Sequence, residues 1–296
     1  MPSDVIQWFP GHMAKTRRLM QECLSQVDIS IEILDARIPL ASRNPEIKKI
    51  LGQKPILTLL SKSSLADPAV TEDWIAKYRV ERIKCLAYDA ITGEGKGALL
   101  PAIQSLLADK LERYAEKGMN GRHIRAMVVG IPNVGKSTLI NHLAGAKKAK
   151  AENRPGVTTS KQWISTSIGV DLLDMPGVLW PKFDCRKTGE NLAITGAIKD
   201  SVLNVDEIAM ILCDRLKNLY PTLLAERYKL TEDEINASDA YDLFMLIGKK
   251  RGFLMAGGVV DEARTAKTLL EEFRNAKIGR ISLESPSVLK GESVNA

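Results

Sequence analysis

The sequence predicts a doubly wound α/β domain followed by a smaller all-helical one, and three observations carry that expectation. The run Gly130-Ile-Pro-Asn-Val-Gly135-Lys136-Ser137 fits G-x-x-x-x-G-K-[ST], between a buried-strand run at Ile124–Val129 and a helix opening at Thr138–Leu143. Short apolar runs alternate with helical patterns up to about residue 180, as a mostly parallel sheet covered on both faces requires. Beyond Val178 only helical patterns remain.

In chain order, strands are expected at Ile29–Leu34, Pro55–Leu60, Arg82–Ala87, Ile124–Val129, Trp163–Ile168 and Val170–Leu173. Helices are expected between them at Met13–Gln26, Ala69–Arg79, Lys96–Lys117 and Thr138–Ala144. The helical part is expected to hold Val205–Tyr220, Ala240–Arg251 and Val259–Ala276, with Thr231-Glu-Asp-Glu234 as a capping signal ahead of one helix. The divisions are residues 1–180, 181–285 and a frayed Ser/Gly/Lys-rich tail at 286–296. With 296 residues, 45% hydrophobic and 26% charged, the chain has the composition of an ordinary soluble globular protein. Its net charge of +6 permits contact with nucleic acid without demanding it. Cys23, Cys85, Cys185 and Cys213 form no C-x-x-C pair, which argues against a zinc site or disulfide framework and for a reducing cytoplasm. No secretory leader and no stretch of eighteen apolar residues is present, so neither export nor membrane spanning is expected.

The glycine-rich turn implies a nucleoside triphosphate. Backbone N–H groups of Asn133, Val134 and Gly135 turn toward an anion, and the helix that starts at Lys136, Ser137 and Thr138 adds its positive end. Lys136 reaches the β/γ-phosphates and Ser137 holds Mg²⁺. Asp174-Met-Pro176-Gly177 ends a strand 38 residues after Lys136. Its carboxylate suits ordering of the magnesium through water, and the Pro176-Gly177 turn brings an N–H to the γ-phosphate. Between them, Asn153-Arg-Pro-Gly-Val-Thr158-Thr159 is a Gly/Pro-punctuated loop, and Thr158 is the chosen third magnesium ligand.

Taken together, these segments resemble a translation-factor-type GTPase with rotated motif order. The nearest match to the base-recognition motif, Ser61-Lys62-Ser63-Ser64, comes before the phosphate loop instead of after it, followed by Tyr88-Asp89-Ala90 where a Ser-Ala-x loop backs the base. With Trp8-Phe-Pro-Gly-His12 at the start, Asp35-Ala-Arg37-Ile-Pro39 after the first strand and Gly279-Arg-Ile-Ser-Leu-Glu284 near the end, the chain resembles the RbgA (YlqF) family of circularly permuted bacterial ribosome-biogenesis GTPases. The resemblance implies GTP hydrolysis coupled to maturation of the large ribosomal subunit, with GTP/GDP, rRNA and the subunit precursor as partners. It also implies a cytoplasmic monomer.

It further implies roles for three regions. His12 is the candidate for positioning the attacking water, since Val178 stands where Ras-like enzymes carry a Gln. Asn133 is, in similar GTPases, a ligand for K⁺. Ser61, Lys62, Ser64, Asp89 and Ala90 surround the base, but the family pattern has Asn and Asp where this chain has Ser61 and Ser64. Loss of that Asp removes a bidentate acceptor for guanine, and weaker or less selective guanine binding is expected, by about 1–3 kcal/mol. Basic clusters at Lys15/Arg17/Arg18, Lys147/Lys148/Lys150 and Lys249/Lys250/Arg251 are candidate phosphate contacts to RNA. The competing readings are a nucleotide-gated RNA-binding module with negligible turnover, favoured by the two serines and the missing Gln, and an ATP-using enzyme, disfavoured by the lack of an acceptor-substrate motif.

Overall fold

The computed structural model describes residues 11–119, 121–145, 162–180, 183 and 185–287, excluding the side chains of residues 11–13 and 162. Six strands form one sheet: β1 (Ile29–Asp35), β2 (Ile56–Ser61), β3 (Cys85–Tyr88), β4 (Ile124–Gly130), β5 (Gln162–Ser165) and β6 (Val170–Asp174). Their order is β3-β2-β1-β4-β6-β5, parallel throughout except for the β5–β6 pair. The chain leaves β1 toward β2 and β3, then returns to place β4 on the other side of β1. Such a reversal opens a crevice at the carboxyl ends of β1 and β4, where doubly wound sheets hold ligands.

Side-chain alternation in the strands directs helices to both faces. Ile29, Ile31, Ile33 and Val128 share a core with Leu99 and Ile103 of α4 (Lys96–Leu106) and with Leu139 and Leu143 of α6 (Lys136–Ala144). On the opposite face Met127, Val129 and Leu173 pack with Met20 of α1 (Gly11–Cys23) and Ile47 of α2 (Pro45–Leu51). Leu34 and Leu60 meet Trp74 and Tyr78 of α3 (Pro68–Val80) there.

Several expected elements are shorter in the structure. The helix expected over Lys96–Lys117 breaks at Leu107, φ −112°, into α4 and α5 (Ala108–Glu116). Leu107 is buried, and the break lets Lys110 and Tyr114 reach Asp28 at 2.7 and 3.0 Å. The strand expected over Trp163–Ile168 stops at Ser165 because residues 166–169 turn, with Thr166 Oγ1 donating to Val170 O at 2.6 Å. The strand expected over Arg82–Ala87 begins only at Cys85, after Arg82 adopts φ +58°. Helix α1 gives way to a 3-10 turn at Leu24–Gln26.

The helical part comprises α7 (Arg186–Ile194), α8 (Val205–Leu219), α9 (Pro221–Tyr228), α10 (Glu232–Ala237), α11 (Ala240–Lys250) and α12 (Glu262–Arg274). Of these, α7 and α9 gave no sequence signal, and α2 was also unforeseen. The capping box at Thr231 and Glu234 is formed, opening α10. Helix α12 starts three residues later than expected because Val260 pairs with Leu254 in an isolated bridge and Asp261 caps the helix. Leu212 and Leu216 of α8, Phe244 and Ile247 of α11 and Leu269 and Phe273 of α12 are buried in the same apolar core as Ile31 and Val128. Sheet and helices therefore share one continuous interior.

Glu272 is the main polar tie within the helices. It is 3% exposed and accepts from Arg227 Nε at 3.0 Å, Tyr228 Oη at 2.8 Å and Arg251 Nη2 at 3.0 Å. Burial pushes its carboxyl upward, but these donors outweigh that and hold it below the ordinary glutamate value. Removing one partner of a buried ion pair leaves the others uncompensated. Glu272→Ala is expected to lower stability by about 3 kcal/mol in denaturant unfolding, with an unchanged denaturant slope.

Candidate nucleotide site

The phosphate loop joins β4 to α6. Gly130 has φ +153°, and a β-carbon there would stand 2.6 Å from Ile33 O, so the close approach of β1 permits only glycine. Asn133 and Gly135 also have positive φ, +56° and +106°, which turns the loop's amides toward its concave side. Lys136 opens α6 and is 8% exposed, with Nζ donating to Gly130 O at 3.2 Å and Ile131 O at 2.6 Å. Burial depresses its pKa to about 8, against the opposing pull of Asp174; neighbouring Lys62 lowers it further. Ser137 is half-buried in the first turn, Thr138 is exposed beside it and Val134 is buried beneath the loop.

The expected base-recognition segment arrives from β2 at the same crevice. Ser61 Oγ lies 2.9 Å from Leu34 O and 2.5 Å from Val134 O, bridging β1 and the phosphate loop. Lys62 adopts φ +56° and sends Nζ to Asp35 Oδ2 at 3.0 Å and Asn133 O at 2.7 Å. Ser64 sits in the following 3-10 turn, Ser63–Leu65. From the end of β3, Asp89 turns back to meet it: Asp89 Oδ2 accepts from Ser64 Oγ at 2.6 Å. Ala90 is half-buried next in the chain. Sequence reading missed the clamp behind Lys62. Asp35 is bound by Arg37 Nε at 2.9 Å and Nη2 at 2.8 Å; burial opposes ionisation of its carboxyl, but Arg37 and Lys62 hold the pKa well below the usual carboxylate range. The signal was an aspartate at a strand's carboxyl end with arginine two residues on.

Asp174, 3% exposed, ends β6 beside the phosphate loop, in register with Val128 of β4. Pro176, Gly177 and Val178 follow, half-buried. A β-carbon on Gly177 would lie 2.7 Å from Lys136 Nζ and 2.7 Å from Pro132 N. Val178 N–H donates to Gly130 O at 3.4 Å, and its carbonyl accepts from Asn44 Nδ2 at 2.9 Å. The structure thus gathers Ser61, Lys62, Ser64, Asp89, Asn133, Lys136, Ser137, Asp174 and Gly177 around one end of the sheet. His12 falls in the first turn of α1, but its side chain, like the whole of Thr158 and of Lys147, Lys148 and Lys150, lies outside the described residues.

Comparison with known proteins decides among the triphosphate-binding classes. Residues 125–240 match the family described as "50S ribosome-binding GTPase". A "Ribosome biogenesis GTPase A" of Priestia megaterium is 48% identical over 283 residues, spanning 95% of this chain and 97% of that protein. That of Bacillus cereus is 46% identical over 290 residues, spanning 98% and 97%. The chain belongs to the ribosome biogenesis GTPase A family. It is a GTP hydrolase of ribosome assembly. A solved structure titled "Crystal structure of GNP-bound YlqF from T. maritima" superposes on this GTPase with a TM-score of 0.63 at 26% identity, covering 92% of this chain and 98% of that one. A GDP-bound YlqF structure gives a TM-score of 0.65, covering 91% of this chain and 100% of that chain.

In this GTPase the helical part returns to grip the nucleotide loops. Asn133 Nδ2 donates to Gly196 O, just after α7, at 2.8 Å. Arg280 donates to Ser63 O and Ala66 O, each at 2.9 Å. Ile281 N–H reaches Leu65 O at 3.1 Å and Leu283 N–H reaches Arg37 O at 2.9 Å. Glu284 accepts from Leu40 N–H at 2.7 Å and Asn191 Nδ2 at 2.9 Å. The segment Gly279–Glu284 therefore closes over the Ser63–Leu65 turn, a contact that no sequence spacing announces.

The depressed Lys136 has a consequence for binding. A polyphosphate favours the ammonium form, so below pH 8 the lysine is already charged and adds no pH dependence of its own. Above about 8 the amine must first take up a proton, and triphosphate affinity is expected to fall by at most tenfold per pH unit. Titration calorimetry between pH 6.5 and 9.5 in two buffers of different ionisation enthalpy checks both the slope and the proton uptake.

Proposed function

We propose that this GTPase hydrolyses GTP to GDP and phosphate on a precursor of the large ribosomal subunit, docking through rRNA in its triphosphate state and leaving after hydrolysis. The observation that carries this reading is the match of residues 125–240, from phosphate loop to helical part, to a 50S ribosome-binding family. A division at residues 1–180 for the nucleotide and 181–285 for the ribosome, with a tail at 286–296, suits that reading, the two parts working as one body because they share an apolar core. No helix among the described residues is long and apolar enough to cross a membrane, and a monomer working in the cytoplasm fits the reading.

In the reaction, Lys136 and the loop amides hold the β- and γ-phosphates while water attacks in line. Magnesium fits the donors present: the hydroxyl of Ser137 and the carboxylate of Asp174 are hard oxygen ligands, and Asp174 is buried at the loop. Bound there with Thr158, magnesium would neutralise charge on the phosphates. His12 positions the water. Asn133 is oriented through its Nδ2 bond to Gly196 O, leaving Oδ1 as the atom able to ligate K⁺.

RNA contact falls to exposed Lys15, Arg18 and Lys249, together with Arg17, which lies 3.7 Å from Glu46. Lys250 and Arg251 are engaged with Glu234 at 2.9 Å and Glu272 at 3.0 Å, so the cluster at 249–251 offers less free charge than its sequence implies. Phosphate release from GTP and ATP, with and without purified large subunits, tests the reading. GTP turnover stimulated by subunits is expected; GTP binding without turnover would favour an RNA-binding module, and ATP turnover indifferent to subunits would favour an unrelated enzyme. Replacing K⁺ by Na⁺ is expected to slow hydrolysis several-fold, and equal rates would remove Asn133 from that role.

A further inference from the structure

A serine hydroxyl is ordinarily a poor judge of purines because it donates and accepts with equal ease. Ser64 is not free in this way. Its Oγ stands 2.6 Å from Asp89 Oδ2, the length of a charge-assisted O–H···O⁻ bond, so its one proton is committed to the carboxylate. Asp89 in turn is fixed from every side: Oδ1 accepts from Ile91 N–H at 2.7 Å and Thr92 N–H at 3.0 Å, and Oδ2 also faces Ser64 N–H at 3.3 Å. Burial raises its pKa, but the Ser64 hydroxyl and these amides outweigh that and keep it ionised. Asp89 is 2% exposed whereas Ser64 is partly exposed, so of the two bonded groups the serine is the one open to the surface of the crevice.

We propose that Ser64, with its proton held by Asp89, presents only lone pairs to the bound purine and thereby selects guanine. The proposal rests on the nucleotide site lying where the previous section puts it. The Watson–Crick edge of guanine offers N1–H and an exocyclic N2 amine, both donors. Adenine offers a lone pair at N1, which the oriented hydroxyl repels. Xanthine replaces the N2 amine by a carbonyl oxygen, which it also repels. One neutral acceptor backed by a buried charge is weaker than a bidentate carboxylate, so affinity drops relative to the family pattern while discrimination survives. The two halves of the device come from different strands, Ser64 after β2 and Asp89 after β3, and the parallel register Ser61↔Tyr88 brings them together.

The test is competition of GTP, ATP and XTP against a fluorescent GTP analogue on the full chain. For the wild type, GTP is expected to bind at least tenfold more tightly than ATP. Asp89→Asn keeps the acceptor for Ile91 and Thr92 but turns an NH₂ toward Ser64, freeing the hydroxyl proton for the base. Its GTP affinity is expected to fall about tenfold while the XTP-to-GTP affinity ratio rises at least fivefold. The double variant Ser64→Asp/Asp89→Asn moves the carboxylate to the crevice and keeps its donor, and is expected to bind GTP at least as tightly as the wild type. Equal GTP and ATP affinity in the wild type would overturn the proposal. So would an unchanged GTP:XTP ratio in Asp89→Asn, or a folded double variant that fails to regain GTP binding. A wild type that binds no triphosphate would instead refute the nucleotide site itself.

Discussion

Gly177 has no room for a side chain, and that single steric fact ties the parts of the molecule together. A β-carbon there would stand 2.7 Å from Lys136 Nζ and 2.8 Å from Pro132 Cα. The segment after β6 and the phosphate loop after β4 are therefore packed against each other with no spare room. Two and three residues on, Leu179 and Trp180 are buried in the same apolar core as Leu192 and Ile194 of α7. Leu179 and Trp180 thus join the Gly177 turn to the packing of α7, and packed interiors rearrange between discrete states and do not deform smoothly.

A second route connects the base end of the site to the same helices. The Ser63–Leu65 turn is held from outside by Arg280 and Ile281, while Glu284 reaches across to Leu40, Ala41 and Asn191. Burial pushes the Glu284 carboxyl above its ordinary value against the pull of these donors. Rotated motif order makes both routes possible. With β1, β2 and β3 placed before the phosphate loop, β6 and the Asp174–Gly177 turn come last of the sheet in chain order, ahead of the helices.

Much of this was readable from residues alone, and the physical reason is locality. The phosphate loop, the strand–helix alternation and the Asp174–Gly177 turn each depend on residues within a few positions of one another, so spacing and composition report them. The five parallel strands register because buried parallel strands are continuous apolar runs. What escaped notice was set by distant partners. Leu107 breaks a good helical pattern because Asp28, about eighty positions earlier, draws α5 aside. Asn133, expected by resemblance to ligate K⁺, also donates to Gly196 O, a partner 63 positions away that its own loop could not announce. Ser61 and Ser64 read as losses until the chain brings Val134 to one and Asp89 to the other. Short helices such as α2 and α7 carry too few turns for a periodic signal to emerge.

The central claim is that a triphosphate is gripped by the loop amides and the buried ammonium of Lys136. Titration of GTP into Lys136→Ala, with circular dichroism confirming an unchanged fold, addresses it most directly. The account predicts a loss of affinity of at least a hundredfold, since an ammonium–phosphate contact in a largely dehydrated loop contributes on the order of 3 kcal/mol. Undiminished affinity in the folded variant would contradict it.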